Sequence, residues 1–161
     1  MAEIEIKLKK LTDTAILPTY GTEGAAAFDL YADVDEEKAY WTETPNPDAY
    51  YIIPSQKNLK ITTGIAMAIP KGYVGLIFAR SGRACNDGLR PANCVGVVDS
   101  DYRGNVTVCL YNDSDNAQIV MAGDRIAQMM IVESWNAKLI LCDDLDETAR
   151  GAGGFGSTGK N

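Results

Sequence analysis

The chain is written in short apolar runs that keep stopping at clusters of Gly, Pro, Asn and Asp, and no long helical period runs through it. Across Glu3 to Leu11, Ile4, Ile6 and Leu8 alternate with charged neighbours, the period of two expected of a strand with one buried face. Comparable segments lie at Leu59 to Ile69, Tyr73 to Phe78, Val95 to Val98, Asn105 to Tyr111, Ile126 to Val132 and Ala137 to Leu141. Turn-forming residues bound each of them, as strand ends require. The pattern predicts an all-β domain, a jelly-roll-like β-sandwich or barrel. A helical turn fits only at Glu36 to Trp41 and at the stretch opening with Ser81, which can cap a short helix beside Arg80.

At 161 residues, 46% of them hydrophobic, the chain can bury one core of ordinary size. We divide it into a β domain over residues 1–149 and a Gly-rich arm over residues 150–161. An insertion over residues 33–51, rich in carboxylates and aromatics, turns at Pro45-Asn46-Pro47. Its aromatics, Tyr40, Trp41, Tyr50 and Tyr51, either pack locally or cover a subunit edge. The arm has too little apolar area to offset its conformational entropy, so it is expected to be flexible. A disordered tail is the plain interpretation; yet Phe155 between glycines, followed by Ser157 and Thr158, also suits a lid over a base and a phosphate.

The N-terminus lacks the basic start and apolar run of a secretory signal, and no apolar stretch is long enough to span a membrane. A cytoplasmic protein is expected. Cys85, Cys94, Cys109 and Cys142 are unevenly spaced and there is no histidine, which argues against structural zinc and for reduced, mostly buried thiols. A net charge of -7 opposes non-specific binding to nucleic acid or to an anionic membrane. A phosphate-bearing ligand would therefore need a local arginine cluster. Without histidine, catalysis must rest on carboxylates, arginines, hydroxyls and backbone amides.

Residues of that kind collect in five segments: Ala26-Ala27-Phe28-Asp29-Leu30, Ala79-Arg80-Ser81-Gly82, Asn93 through Gly104, Gly123-Asp124-Arg125-Ile126-Ala127-Gln128, and the arm from Arg150. Taken singly, Asp29 and Asp124 read as turn carboxylates, Gln128 as a solvent-facing strand residue and Arg80 as a surface ion-pair partner. Taken together, in this order and spacing, they resemble the five motifs of the trimeric dUTPase family. The most specific parts are Gly96-Val97-Val98-Asp99-Ser100-Asp101-Tyr102-Arg103-Gly104 and Gly153-Gly154-Phe155-Gly156-Ser157-Thr158-Gly159.

The resemblance implies a homotrimer with active sites shared between chains. It implies hydrolysis of dUTP to dUMP and pyrophosphate with Mg²⁺, which limits uracil in DNA and supplies dUMP for thymidylate synthesis. Asp99 would orient and deprotonate the attacking water; a carboxylate is ionised at neutral pH without special tuning. Tyr102 would lie against the deoxyribose, leaving no room or partner for a 2′-hydroxyl. Asn93 and the hairpin backbone at Gly96 and Val98 would read the polar edge of uracil, where cytosine presents the wrong donor pattern. Arg80, Ser81, Gln128, Arg150, Ser157 and Thr158 would meet the phosphates, Phe155 would stack on the base, Gly82 and Gly156 would also bind the substrate, and Asp29 would meet the metal through water. Arginine suits phosphate because its planar fork donates two bonds and keeps its charge.

Ala27 stands where the first motif usually has glycine, Ala79 where proline is frequent and Arg83 where leucine is common. Alternative functions are a dCTP deaminase-like enzyme, which the Asp-Ser-Asp-Tyr segment disfavours, and a nucleotide-gated regulator that uses the 33–51 insertion to meet a protein partner.

Overall fold

The alternating runs become antiparallel sheet along most of the chain. The computed structural model describes residues 4–34, 50–155 and 157. In order these form β1 (Lys7–Lys10), β2 (Thr19–Tyr20), β3 (Phe28–Tyr31), β4 (Tyr50–Ile53), β5 (Asn58–Thr62), β6 (Ile65–Ala68), β7 (Tyr73–Phe78), α1 (Ser81–Asn86), β8 (Leu89–Pro91), β9 (Gly96–Val98), β10 (Thr107–Asn112), β11 (Gln118–Met121) and β12 (Arg125–Glu133). The largest sheet has the order β2-β3-β12-β7-β9, and a second runs β5-β10-β8. The pairs β1-β6 and β11-β4 complete an open jelly-roll arrangement, with no closed barrel among the described residues.

One core joins the sheets. Leu30, Ile77 and Met129 from the largest sheet meet Ile61, Val108 and Leu110 from the second, with Ile53 and Val120 from β4 and β11. Along β10 the inward residues are Val108, Leu110 and Asn112, every second position, as a strand with one buried face demands. At roughly 25 cal/mol per Å² of apolar area, this burial is the main term holding the sheets together.

Several expectations need correction. Leu59 to Ile69 is two strands, β5 and β6, because Gly64 between them takes a positive φ of 65°. A Cβ there would strike the Asp33 carboxylate and the side chains of Ala15 and Thr12. Asp33 is buried and accepts hydrogen bonds from the hydroxyls of Thr12 and Thr14, each at 2.7 Å. β1 is shorter than Glu3 to Leu11 and, within one chain, Leu8 remains exposed. Ala137 to Leu141 forms no strand, and Leu139, Ile140 and Leu141 are exposed because no strand among the described residues lies beside them. The thiols are not buried either: Cys85, Cys94 and Cys142 are exposed and Cys109 is half-buried, all four free.

Tyr50 and Tyr51 belong to β4, and Tyr51 is part of the core. The rest of the insertion, residues 35–49 with the turn at Glu36 to Trp41, lies outside the described residues. No helix among the described residues is long and apolar enough to cross a membrane.

Candidate active site

Asp29 sits in the middle of β3, between Phe28 and Leu30, whose side chains enter the core. Strand alternation therefore turns its carboxylate away from the core, yet Asp29 is only 8% exposed. Two arginines cover it: Arg80 Nε donates to Oδ1 at 2.8 Å and Arg125 Nη1 to Oδ2 at 3.2 Å. Arg80 immediately precedes α1, and its Nη1 also donates to the Arg125 carbonyl at 3.4 Å.

Arg125 reaches Asp29 through an irregularity in β12. Ala127 and Met129 face the core, so strict alternation would turn Arg125 inward with them. The register against β3 shifts between Arg125 and Ala127, and the extra residue, Ile126, is buried instead. This bulge releases Arg125 toward Asp29. Beyond it, Gln128 lies opposite Asp29 in the pairing, and its Nε2 donates to the Ala79 carbonyl at 2.9 Å. That bond ties the segment before α1 to the sheet.

These residues line a cavity of about 300 Å³ with Ser81, Gly82 and the loop from Gly21 to Ala27. Two guanidiniums face one carboxylate, which leaves a local positive excess in an acidic chain. Gly82 has open space where a side chain would stand. Such a mouth is suited to an anion. Ala27 is not among the positive-φ residues, so alanine replaces glycine there without backbone strain. The residue at the N-cap of α1 is Arg80, with no side-chain cap bond, and not Ser81 as expected.

Asp99 lines a different and larger cavity, about 840 Å³, together with Ser100, Asp101, Arg103, Lys7 and Lys71. Its side chain is exposed. It follows β9, an edge strand paired on one side with β7, Val98 against Gly75 and Gly96 against Ile77. Val98 is 8% exposed and Val97 is 62% exposed; Val98 therefore offers a ligand its backbone alone. Gly96 packs closely on β7, since a Cβ there would lie 3.1 Å from Ile77 Cβ. Asn93 is exposed at the turn before β9, beside Cys94 at φ 62°. Tyr102 is 45% exposed, which removes the interpretation as a core tyrosine, and its hydroxyl donates to the Asn105 carbonyl at 3.0 Å.

None of the described arm residues lines either cavity. Arg150 Nε donates to the Gly153 carbonyl at 2.8 Å, Ser157 N–H to the Gly154 carbonyl at 3.0 Å, and Phe155 is fully exposed. Gly156 and Thr158 lie outside the described residues. The chain thus gathers Asp29, Arg80, Ser81, Gly82 and Gln128, and keeps Asp99 and Tyr102, and separately Arg150 and Phe155, elsewhere. Arg125 was not among the expected site residues, although it stands inside a segment singled out for chemistry; the bulge that exposes it has no sequence mark.

The family model described as dUTPase matches residues 46–159. A deoxyuridine 5'-triphosphate nucleotidohydrolase of Desulfitobacterium hafniense is 46% identical over 144 residues, 89% of this chain and 87% of that one. A Staphylococcus bacteriophage 80alpha dUTPase solved with dUpNHpp shares the fold at a TM-score of 0.80 and 24% identity, over 96% of this chain and 98% of that one. A dUTPase from phage phi11 of S. aureus, whose structure describes coordination of a structural Mg(II) ion, does so at 0.70 and 22% identity, over 88% and 98%. By the extent of the family match and the identity to its bacterial relative, this chain belongs to the dUTPase family.

Proposed function

We propose that the chain is a dUTP diphosphatase, hydrolysing dUTP to dUMP and pyrophosphate, keeping uracil out of DNA and supplying dUMP for thymidylate synthesis. The observation that carries this most directly is Asp29 held between Arg80 and Arg125 at an open, positively biased mouth. Neither deamination nor regulation has a comparable observation in its favour.

Arg80, Ser81, Gly82 and Gln128 are assigned to the phosphates, with Arg125 added to them. Asn93 and the backbone of Gly96 and Val98 are assigned to uracil, and Tyr102 to the deoxyribose. Asp99 holds the water that attacks the α-phosphorus in line with the departing pyrophosphate, and takes its proton. No covalent intermediate is required. The arm over residues 150–161, as a flexible unit distinct from the domain over 1–149, brings Arg150, Ser157 and Thr158 to the phosphates and Phe155 and Gly156 to the base. Closure of that kind excludes bulk water and strengthens charge interactions at the phosphates.

The residues fit a metal ion that arrives with the triphosphate. Both Asp29 oxygens already accept from arginines, and among the described residues no three acidic or thiol side chains gather to hold a bare ion. Asp29 would meet Mg²⁺ through water, the phosphates supplying most ligands. When bound, Mg²⁺ offsets charge on the triphosphate and on the leaving group.

A homotrimer with shared sites is the assembly this reading needs. It is supported by the separation of Asp99 from the arginine pair within one chain, and by the exposed Leu139, Ile140 and Leu141. A substrate drawn from the intracellular nucleotide pool places the protein in the cytoplasm. Pyrophosphate release from dUTP, dCTP, dTTP and UTP, each with and without a chelator, tests the whole reading. Turnover is expected for dUTP, with the chelator abolishing it; equal turnover of dTTP, or ammonia release from dCTP, would refute the assigned base pocket.

A further inference from the structure

Arg83 is a charged residue inside the first turn of α1 and is four-fifths buried as a side chain. Both arms of its fork are engaged. Nη1 donates to Asp87 Oδ2 at 3.0 Å within the helix, and Nη2 donates to Asp124 Oδ2 at 3.3 Å and to the Ile119 carbonyl at 3.4 Å. Asp124 Oδ2 also accepts the Met121 N–H at 3.0 Å, closing the turn between β11 and β12, where Gly123 stands at φ 79°. The residue that follows this turn is Arg125.

Two arginine–aspartate links therefore join the same two pieces of chain. Arg80, just before α1, reaches Asp29, which Arg125 grips from the other side. Arg83, one turn further on, reaches Asp124, the neighbour of Arg125. The first link points into the cavity and the second lies behind it, since Arg83 and Asp124 do not line the cavity. We infer that Arg83 is a positioning residue: through Asp124 it sets the separation of the Arg80 and Arg125 guanidiniums, and with it the grip of the site on the outer phosphates. The inference rests on the assignment of that cavity to a triphosphate. A planar fork with two fixed donors can hold a helix and a turn at once, which a single ammonium cannot. The bond to the Ile119 carbonyl adds a third attachment on the same turn.

The test compares full-length wild type with Arg83→Leu, Asp124→Asn and the double variant, measuring Kd for dUMP and for dUpNHpp and the steady-state constants for dUTP. Asn at position 124 can still accept from the Met121 N–H, so that variant keeps the turn if Arg83→Leu fails to fold. Each single variant is expected to raise the Kd for dUpNHpp by about tenfold, in the range of a part-buried ion pair, and to raise KM more than it lowers kcat. Kd for dUMP should stay within about twofold, because the inner part of the nucleotide is read elsewhere. The double variant should lose little more than either single one, since the two side chains act as one link. Equal weakening of both ligands, or fully additive losses, would overturn the inference and leave Arg83 a plain support of α1. Wild-type protein that bound neither ligand would instead overturn the nucleotide reading, and this inference with it.

Discussion

Two carboxylates illustrate how position divides the chemistry. Asp29 is buried with each oxygen accepting from an arginine, whereas Asp99 is exposed and its carboxylate has no partner among the described residues. A general base needs the second environment, open to water and ready to accept a proton. Asp99→Asn is therefore expected to lower dUTP turnover by about 10²- to 10⁴-fold, the usual worth of a positioned base. Its unfolding free energy should stay within about 0.5 kcal/mol of wild type, as for other exposed substitutions. Pyrophosphate release and urea unfolding on the same preparation check both halves. Asp29 and Asp99 were both singled out in the sequence, Asp99 by a distinctive segment and Asp29 only as part of five segments taken together. Arg125 was not, since a bulge obeys the local packing of Ile126 and Ala127 and leaves no residue type as its sign.

At the scale of elements, β7, β9, β10 and β12 were readable to within two residues from apolar runs bounded by turn-forming residues, whereas short or polar strands such as β2, β3 and β8 were not. Four-residue runs carry too little periodicity to stand out. Asn112, at the end of β10, shows another blind spot: in a run of Asn, Asp and Ser it reads as loop, yet it is fully buried. Its Nδ2 donates to the carbonyls of Ile53 at 2.9 Å and Asn116 at 2.7 Å, and its Oδ1 accepts from Ser114 N–H and hydroxyl. Asn112→Ala would remove all four bonds from a buried position, the Asn116 carbonyl keeping only the Ser114 hydroxyl at 3.0 Å, and is expected to cost about 2–4 kcal/mol of stability, seen as a lower urea midpoint with the activity of the folded fraction retained. Truncation after Ala149 should act in the opposite way. Residues 150 to 155 are mostly exposed and bond mainly among themselves, so turnover should fall while circular dichroism and assembly mass stay unchanged; a truncated chain that no longer assembled would contradict the proposed role of the arm.

For the whole molecule, Asp99 and the arginine pair line separate cavities of one chain, so the proposed homotrimer can be tested through its chemistry. If each site takes Asp99 from one chain and Arg80 from another, unfolding and refolding an inactive Asp99→Asn protein together with an inactive Arg80→Ala protein should restore turnover to a sizeable fraction of wild type. A mixture as inactive as its components would place both residues in one chain's site. The proposed assembly would give the exposed Leu139, Ile140 and Leu141 a place to be buried. The run from Ala137 to Leu141 reads as a strand in sequence, but a strand requires a neighbour with free backbone groups, and no described strand pairs with it.

The order of residues was sufficient to determine an all-β domain and the family it belongs to, and to single out candidate groups for its chemistry, because periodicity and motif are properties of neighbours along the chain. Which groups face one another was decided only in three dimensions. Asp29 meets Arg80 and Arg125 across 51 and 96 residues of sequence, and Arg83 meets Asp124 across 41. Such contacts follow from strand register, from one bulge and from the turn of a short helix, where a shift of one residue sends a side chain to the opposite face.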